Sequence, residues 1–186
     1  MSKASFAVAS LLVASVASAQ PALSAAPSTR ATAVVTLSPP RGAQGSPARI
    51  SIDYGQPHLR GRALHTPTLV PLDSVWRLGA NEATALDTGV DLTIGGAAVP
   101  KGKYTLYALP TARGWKLIIN KNTGQWGTDY NAEHDLARVD LQHRALTQPV
   151  ESFSIWLVPS AQAPARSGEL RFAWDTHELT TTWMVR

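Results

Sequence analysis

Cysteine is absent from the 186 residues. That excludes a disulfide framework, a thiolate metal site, a cysteine nucleophile, a haem attached through CxxCH and any lipid anchor borne on cysteine. Charge is scarce as well. Asp, Glu, Lys and Arg make up 16% of the chain, against about 25% in an average domain. A coiled coil, a charge-laced long helix and a highly charged disordered chain are excluded by that composition. Basic residues exceed acidic ones to give a net charge of +4, but no basic run exists. The densest group, Arg60 and Arg62 with Arg41 and Arg49 nearby, is not the continuous stripe of a nucleic-acid surface. After the N-terminus there is no second long apolar run, so no membrane span is expected in the rest of the chain.

What is present begins with the N-terminus. Lys3 precedes the small, apolar, uncharged stretch 4–19, which ends in Ala17-Ser18-Ala19. This is the pattern of a Sec-type signal peptide over 1–19, cut after Ala19, and it predicts export to the periplasm or the medium. The cut removes Lys3 and lowers the net charge by one. Residues 20–30 are rich in Ala, Pro and Ser and read as a flexible leader. The remainder, 31–186, has the length of one domain.

From residue 31 the apolar positions recur every second residue, the period of a half-buried strand. Ala33, Val35 and Leu37 share one face, as do Ile50, Ile52 and Tyr54. Pro57, Gly61, Pro67 and Pro71 make 55–74 an irregular excursion, and Val75-Trp76-Arg77-Leu78 resumes as a strand. Gly95-Gly96, Pro100-Lys101-Gly102 and Arg113-Gly114 are turn signals between further extended runs. Residues 120–135 form a polar loop holding Trp126 and Tyr130. Later strands are marked by Val139 and Leu141, by Phe153, Ile155 and Leu157, and by Leu170, Phe172 and Trp174 leading through Asp175-Thr176 to Leu179, Thr181, Trp183 and Val185. The sole helical candidate starts at Asn131, a possible N-cap, and lasts one or two turns. About ten short strands punctuated by turns predict an all-β, antiparallel β-sandwich of jelly-roll or immunoglobulin-like type over 31–186. The six tryptophans are expected as core and rim packing, with a sugar-stacking platform as the alternative.

Several blocks resemble, in order, a bacterial family known only as domain of unknown function 2911. They are Tyr54-Gly55-Gln56-Pro57-His58-Leu59-Arg60-Gly61-Arg62, Leu69-Val70-Pro71 and Val75-Trp76-Arg77-Leu78-Gly79-Ala80-Asn81-Glu82-Ala83-Thr84. Ile94-Gly95-Gly96, Val99 to Leu106, Trp115 to Lys121 and Gln125-Trp126-Gly127 follow. The resemblance runs over residues 36–185 and implies a secreted, predominantly β domain. It brings no activity. In that family an acidic or aromatic residue often stands where this chain has His65, so it gives that histidine no role.

The residues themselves supply little catalytic pattern. There is no GxSxG elbow, and Ser74, His65 and Asp73 are near one another only in sequence. His58, His65, His134 and His143 form neither HExxH nor an HxH pair on a strand. The acidic and amide residues of 120–135 lack EF-hand spacing. No catalytic residue, metal ligand set or cofactor is therefore predicted. The block around Arg77 carries the most chemistry. Asn81 and Glu82 follow a Gly79-Ala80 bend, which would fold them back towards Arg77. The expected result is a half-buried Arg77–Glu82 ion pair with Asn81 capping the bend. If the block is instead open, Arg62, Arg77, Asn81 and Glu82 are the candidate site for a polar or anionic ligand, because the arginine fork matches carboxylates and phosphates. Two classes of function follow: an exported, non-catalytic domain binding a small polar or anionic ligand or a protein partner, and an exported hydrolase-like enzyme with a cleft around Arg62, Arg77 and Glu82. The lack of any nucleophile–base or metal spacing favours the first.

Overall fold

The computed structural model describes residues 22–162 and 166–186. The signal peptide expected over 1–19 lies outside the described residues. Nine strands follow in order: β1 (Arg30–Leu37), β2 (Ala48–Gly55), β3 (Thr84–Thr88), β4 (Leu92–Ile94), β5 (Ala97–Val99), β6 (Gly102–Thr111), β7 (Gly114–Asn120), β8 (Asp135–Pro159) and β9 (Ser167–Val185). Every ladder is antiparallel, and the strands lie in the order β1-β2-β3-β6-β7-β8-β9-β4-β5. The all-β antiparallel expectation therefore holds. The helical signal at Asn131 yields one 3-10 turn, Ala132–His134, capped by the Asn131 side chain, which accepts from the Glu133 amide at 2.9 Å. No helix among the described residues is long and apolar enough to cross a membrane.

The period-two runs become strands because each has one face to bury. Ile50, Ile52 and Tyr54 of β2 and Leu106 and Ala108 of β6 point into a common core. β8 links the two halves of the sheet: residues 135–141 pair with β7, and the ladder from Gln142 to Pro159 runs along β9. The halves meet across the core. The Tyr54 ring packs edge-on to Phe153 at 5.6 Å, and its hydroxyl accepts from the Ile155 amide at 3.1 Å. Trp76 stacks on Trp174 at 5.7 Å and meets Phe153 at 5.1 Å. The void left among these rings is about 10 Å³, room for a single water and no ligand. Trp76, Trp115, Trp174 and Trp183 are buried, as expected of core packing, whereas Trp126 and Trp156 are exposed.

Two sequence expectations are corrected. Val75–Leu78 is not a strand, since only Trp76 bridges across, to Ala108. The segments around Val139, Phe153, Leu170 and Trp183 are not four short strands but two long ones. Bulges between Ala145 and Val150 and between Val150 and Ser154 let β8 bend without ending. Pro149, with no amide hydrogen to donate, falls in the first gap, and Asp175, at φ 52°, sits opposite Val150.

The outer face of β6 and β7 is also covered. Tyr107 and Ile118 lie opposite each other on that face, as do Thr105 and Asn120, and all four are buried. Segment 121–134 lies over them and brings residues 125–127 beside residues 81–83, with Trp126 exposed.

Candidate functional site

The turn after Trp76 is tightly constrained. Leu78 and Asn81 both adopt left-handed backbone, with φ 48° and 63°. For a bulky residue such as Leu78 this is unfavourable and needs support from its surroundings. The support is present. Thr84 Oγ1 donates to the Leu78 carbonyl at 2.7 Å in a buried setting, and the Ala80 amide donates to the Gly55 carbonyl at 3.1 Å. Gly55 has to be glycine, since a Cβ there would stand 1.9 Å from the Ala80 carbonyl oxygen.

This geometry redirects the chain. Instead of folding back on Arg77, residues 81–83 run antiparallel to 125–127. Glu82 bridges Trp126, the Gly127 amide donates to the Asn81 carbonyl at 3.0 Å, and the Ala83 amide donates to the Gln125 carbonyl at 3.3 Å. The expected Arg77–Glu82 ion pair is therefore not formed. The Glu82 carboxylate lies 3.7 Å from Arg30 of β1, which also pairs with Asp53 and donates to the Glu82 carbonyl at 3.2 Å. The Asn81 side chain donates to the Ser28 carbonyl at 3.4 Å. Arg77 is half-buried, with its aliphatic stem against Gly127. Among the described residues its guanidinium makes no ion pair and no hydrogen bond. Trp126, which precedes Gly127 and bridges Glu82, is 47% exposed.

The layer beneath is a hydrogen-bond network in which, among the described residues, the buried Gln125 Oε1 alone lacks a partner. Thr105 Oγ1 and Tyr107 OH donate to the carbonyls of Asn122 (2.8 Å) and Asp129 (3.3 Å). Their oxygens then accept from the Gln125 amide nitrogen at 3.3 and 3.0 Å, so the amide orientation is dictated by its neighbours. Asn120 donates to the Asn131 carbonyl and to Asp135. Tyr130 donates to Asp135 at 2.7 Å, and Arg138 donates to both Asp135 and Tyr130. Burial, followed by the hydrogen bond and negative charge of Asp135, pushes the Tyr130 phenol up to about 12. Asn120, the Gln125 amide nitrogen and Asp135 thus hold this loop together.

The sequence-predicted residues separate. Arg77, Asn81 and Glu82 share one corner. Arg62 satisfies its own loop, donating to the carbonyls of Leu59 (2.9 Å) and His58 (2.6 Å), and no bond among the described residues links it to Arg77. Three groups at the corner were not singled out from sequence: Arg30, Trp126 and Gly127. Gln125-Trp126-Gly127 was visible as a block, but its bridge to Glu82 arises only in the folded chain.

Chemically, the corner offers one half-buried cation with no ion pair among the described residues, an exposed indole and a neighbouring carboxylate, Glu82, that shares Arg30 with Asp53. It has no nucleophile–base pair. No curated protein and no solved structure is significantly similar to the chain. The family model described as Protein of unknown function (DUF2911) matches residues 38–182, from before β2 to within β9, including the whole 77–83 and 125–127 corner. The chain belongs to that family.

Proposed function

We propose that this protein is an exported, non-catalytic binding domain that takes a small carboxylate- or phosphate-bearing ligand at the corner formed by residues 77–82 and 125–127. Arg77 is the anchor, and the exposed face of Trp126 packs against the body of the ligand. Export is read from Lys3, the apolar stretch and Ala17-Ser18-Ala19. The observation that carries the binding reading is the state of Arg77. Its stem is fixed against Gly127 while its guanidinium meets no acceptor among the described residues, and Glu82 is held by Arg30. An arginine placed in this way is preorganised, so little side-chain freedom is lost on binding an anion bidentately.

Nitrogen-edited NMR of the arginine Nε–H signals tests this, with glucuronate, succinate and inorganic phosphate titrated separately. At least one should shift the Arg77 signal saturably, together with the Trp126 indole signal, and Arg77→Met should abolish the Trp126 shift. The signal is assigned by its absence in that variant. If none of the three anions moves the Arg77 signal, the reading fails.

A further inference from the structure

A second constellation lies on the β8–β9 ladder. His143 pairs across with Leu179, and Ala145 with His177, so the two histidines are diagonal neighbours on one sheet face. Their rings are 5.0 Å apart and inclined by 29°, with His177 Nδ1 and His143 Nε2 separated by 3.0 Å. On the other side of His177, His65 from the 55–74 excursion packs edge-on at 5.2 Å. Its Nδ1 lies 3.2 Å from the Val70 carbonyl, which fixes the proton on that nitrogen. Trp115 packs against both His65 and His177, at 5.7 and 5.9 Å. Three of the five histidines thus converge from three separate stretches of chain.

We propose that His143 Nε2 and His177 Nδ1 are cis ligands to one divalent transition-metal ion of the Cu(II) or Ni(II) type, with water in its remaining positions. Two imidazole nitrogens at metal–nitrogen distances of about 2.0–2.1 Å lie about 2.9 Å apart at a right angle and about 3.3 Å apart at a tetrahedral one. The observed 3.0 Å is a ring-to-ring hydrogen bond, and it holds the two nitrogens close enough for one ion to replace the shared proton; two imidazoles with water suit Cu(II) and Ni(II), which bind such sites more tightly than Zn(II). Among the described residues no third His, Asp or Glu side chain completes a ligand set here, so the protein would supply two ligands and water the rest. His143 is exposed and provides the entry side, while His177 is half-buried. His65 and Trp115 are positioning residues, since they wedge the His177 ring with its Nδ1 towards His143. Asp175, two residues before His177 on β9, is the charge that faces it, while Arg144 and Glu178, adjacent in sequence to the two ligands, pair with each other at 2.7 Å.

The test is titration of the mature protein with Cu(II), Ni(II) or Zn(II) salts by calorimetry, with electron paramagnetic resonance of the Cu(II) form. One equivalent of Cu(II) should bind with two-nitrogen hyperfine structure and more tightly than Zn(II). His143→Ala, at an exposed position that leaves the core untouched, should weaken binding at least tenfold, as should His177→Ala. His134→Ala, on the distant 3-10 turn, should leave it unchanged. Equal Cu(II) affinity in wild type and His143→Ala would overturn the proposal, as would a one-nitrogen spectrum or the absence of binding.

Discussion

Gly127 controls the candidate corner by having no side chain. A Cβ at this position would lie 2.6 Å from the Asn81 carbonyl oxygen and 2.8 Å from Arg77 Cδ. The first contact is with backbone and cannot relax cheaply. Gly127→Ala should therefore destabilise the fold by about 1–3 kcal/mol, the usual cost of overpacking, and should displace Arg77. Urea denaturation measures the first effect and the Arg77 Nε–H chemical shift the second. At this scale the sequence pointed to Arg77, Asn81 and Glu82 but mispaired them. The Gly79-Ala80 bend was legible, whereas the left-handed Leu78 and Asn81 that turn the chain towards 125–127 were not. Asn81 is a residue type that tolerates positive φ, but Leu78 is not, and tertiary contacts at Gly55 and Thr84 impose the turn.

Among the elements, the 121–134 segment holds the corner in place through Asp135, which begins β8. Its carboxylate accepts from Asn120, Tyr130 and Arg138. Asp135→Asn removes the charge and should cost about 1–3 kcal/mol, as expected when buried donors lose a partner. It should also lower the Tyr130 pKa from about 12, since the hydrogen bond and charge of Asp135 are the causes that raise it after burial. Tyrosinate absorbance against pH reads that change. Strand identity was legible where one face alternates, as in β1 and β2, and from the flanking turn signals for β6 and β7, which are buried on both faces; Gly95-Gly96 correctly marked the β4–β5 hairpin. The length of β8 and β9 was not. Bulges around Val150 and Asp175 interrupt the alternation without ending the pairing, so in sequence each reads as two strands. The His143–His177 approach was hidden for a related reason, since cross-strand register depends on those bulges.

For the molecule as a whole, all four tyrosines have raised phenol pKa values, with burial the leading cause at each. The folded chain therefore keeps phenolic protons that the unfolded chain releases near pH 10. In that range the native state binds more protons than the unfolded one, so stability falls as pH rises. It should be intact below the unfolded value of 10.0 and decline as pH rises from there towards about 12, which urea midpoints between about pH 9 and 11 will show. Global stability also bears on the central claim, that the charge of Arg77 is free for a ligand rather than half of a structural pair. The direct measurement is the free energy of unfolding of Arg77→Met, which keeps most of the stem against Gly127 and removes the charge. It should lie within about 1 kcal/mol of wild type, as for a substitution that breaks no buried pair. A loss of about 3–5 kcal/mol, the cost of stranding the partner of a buried ion pair, would contradict it.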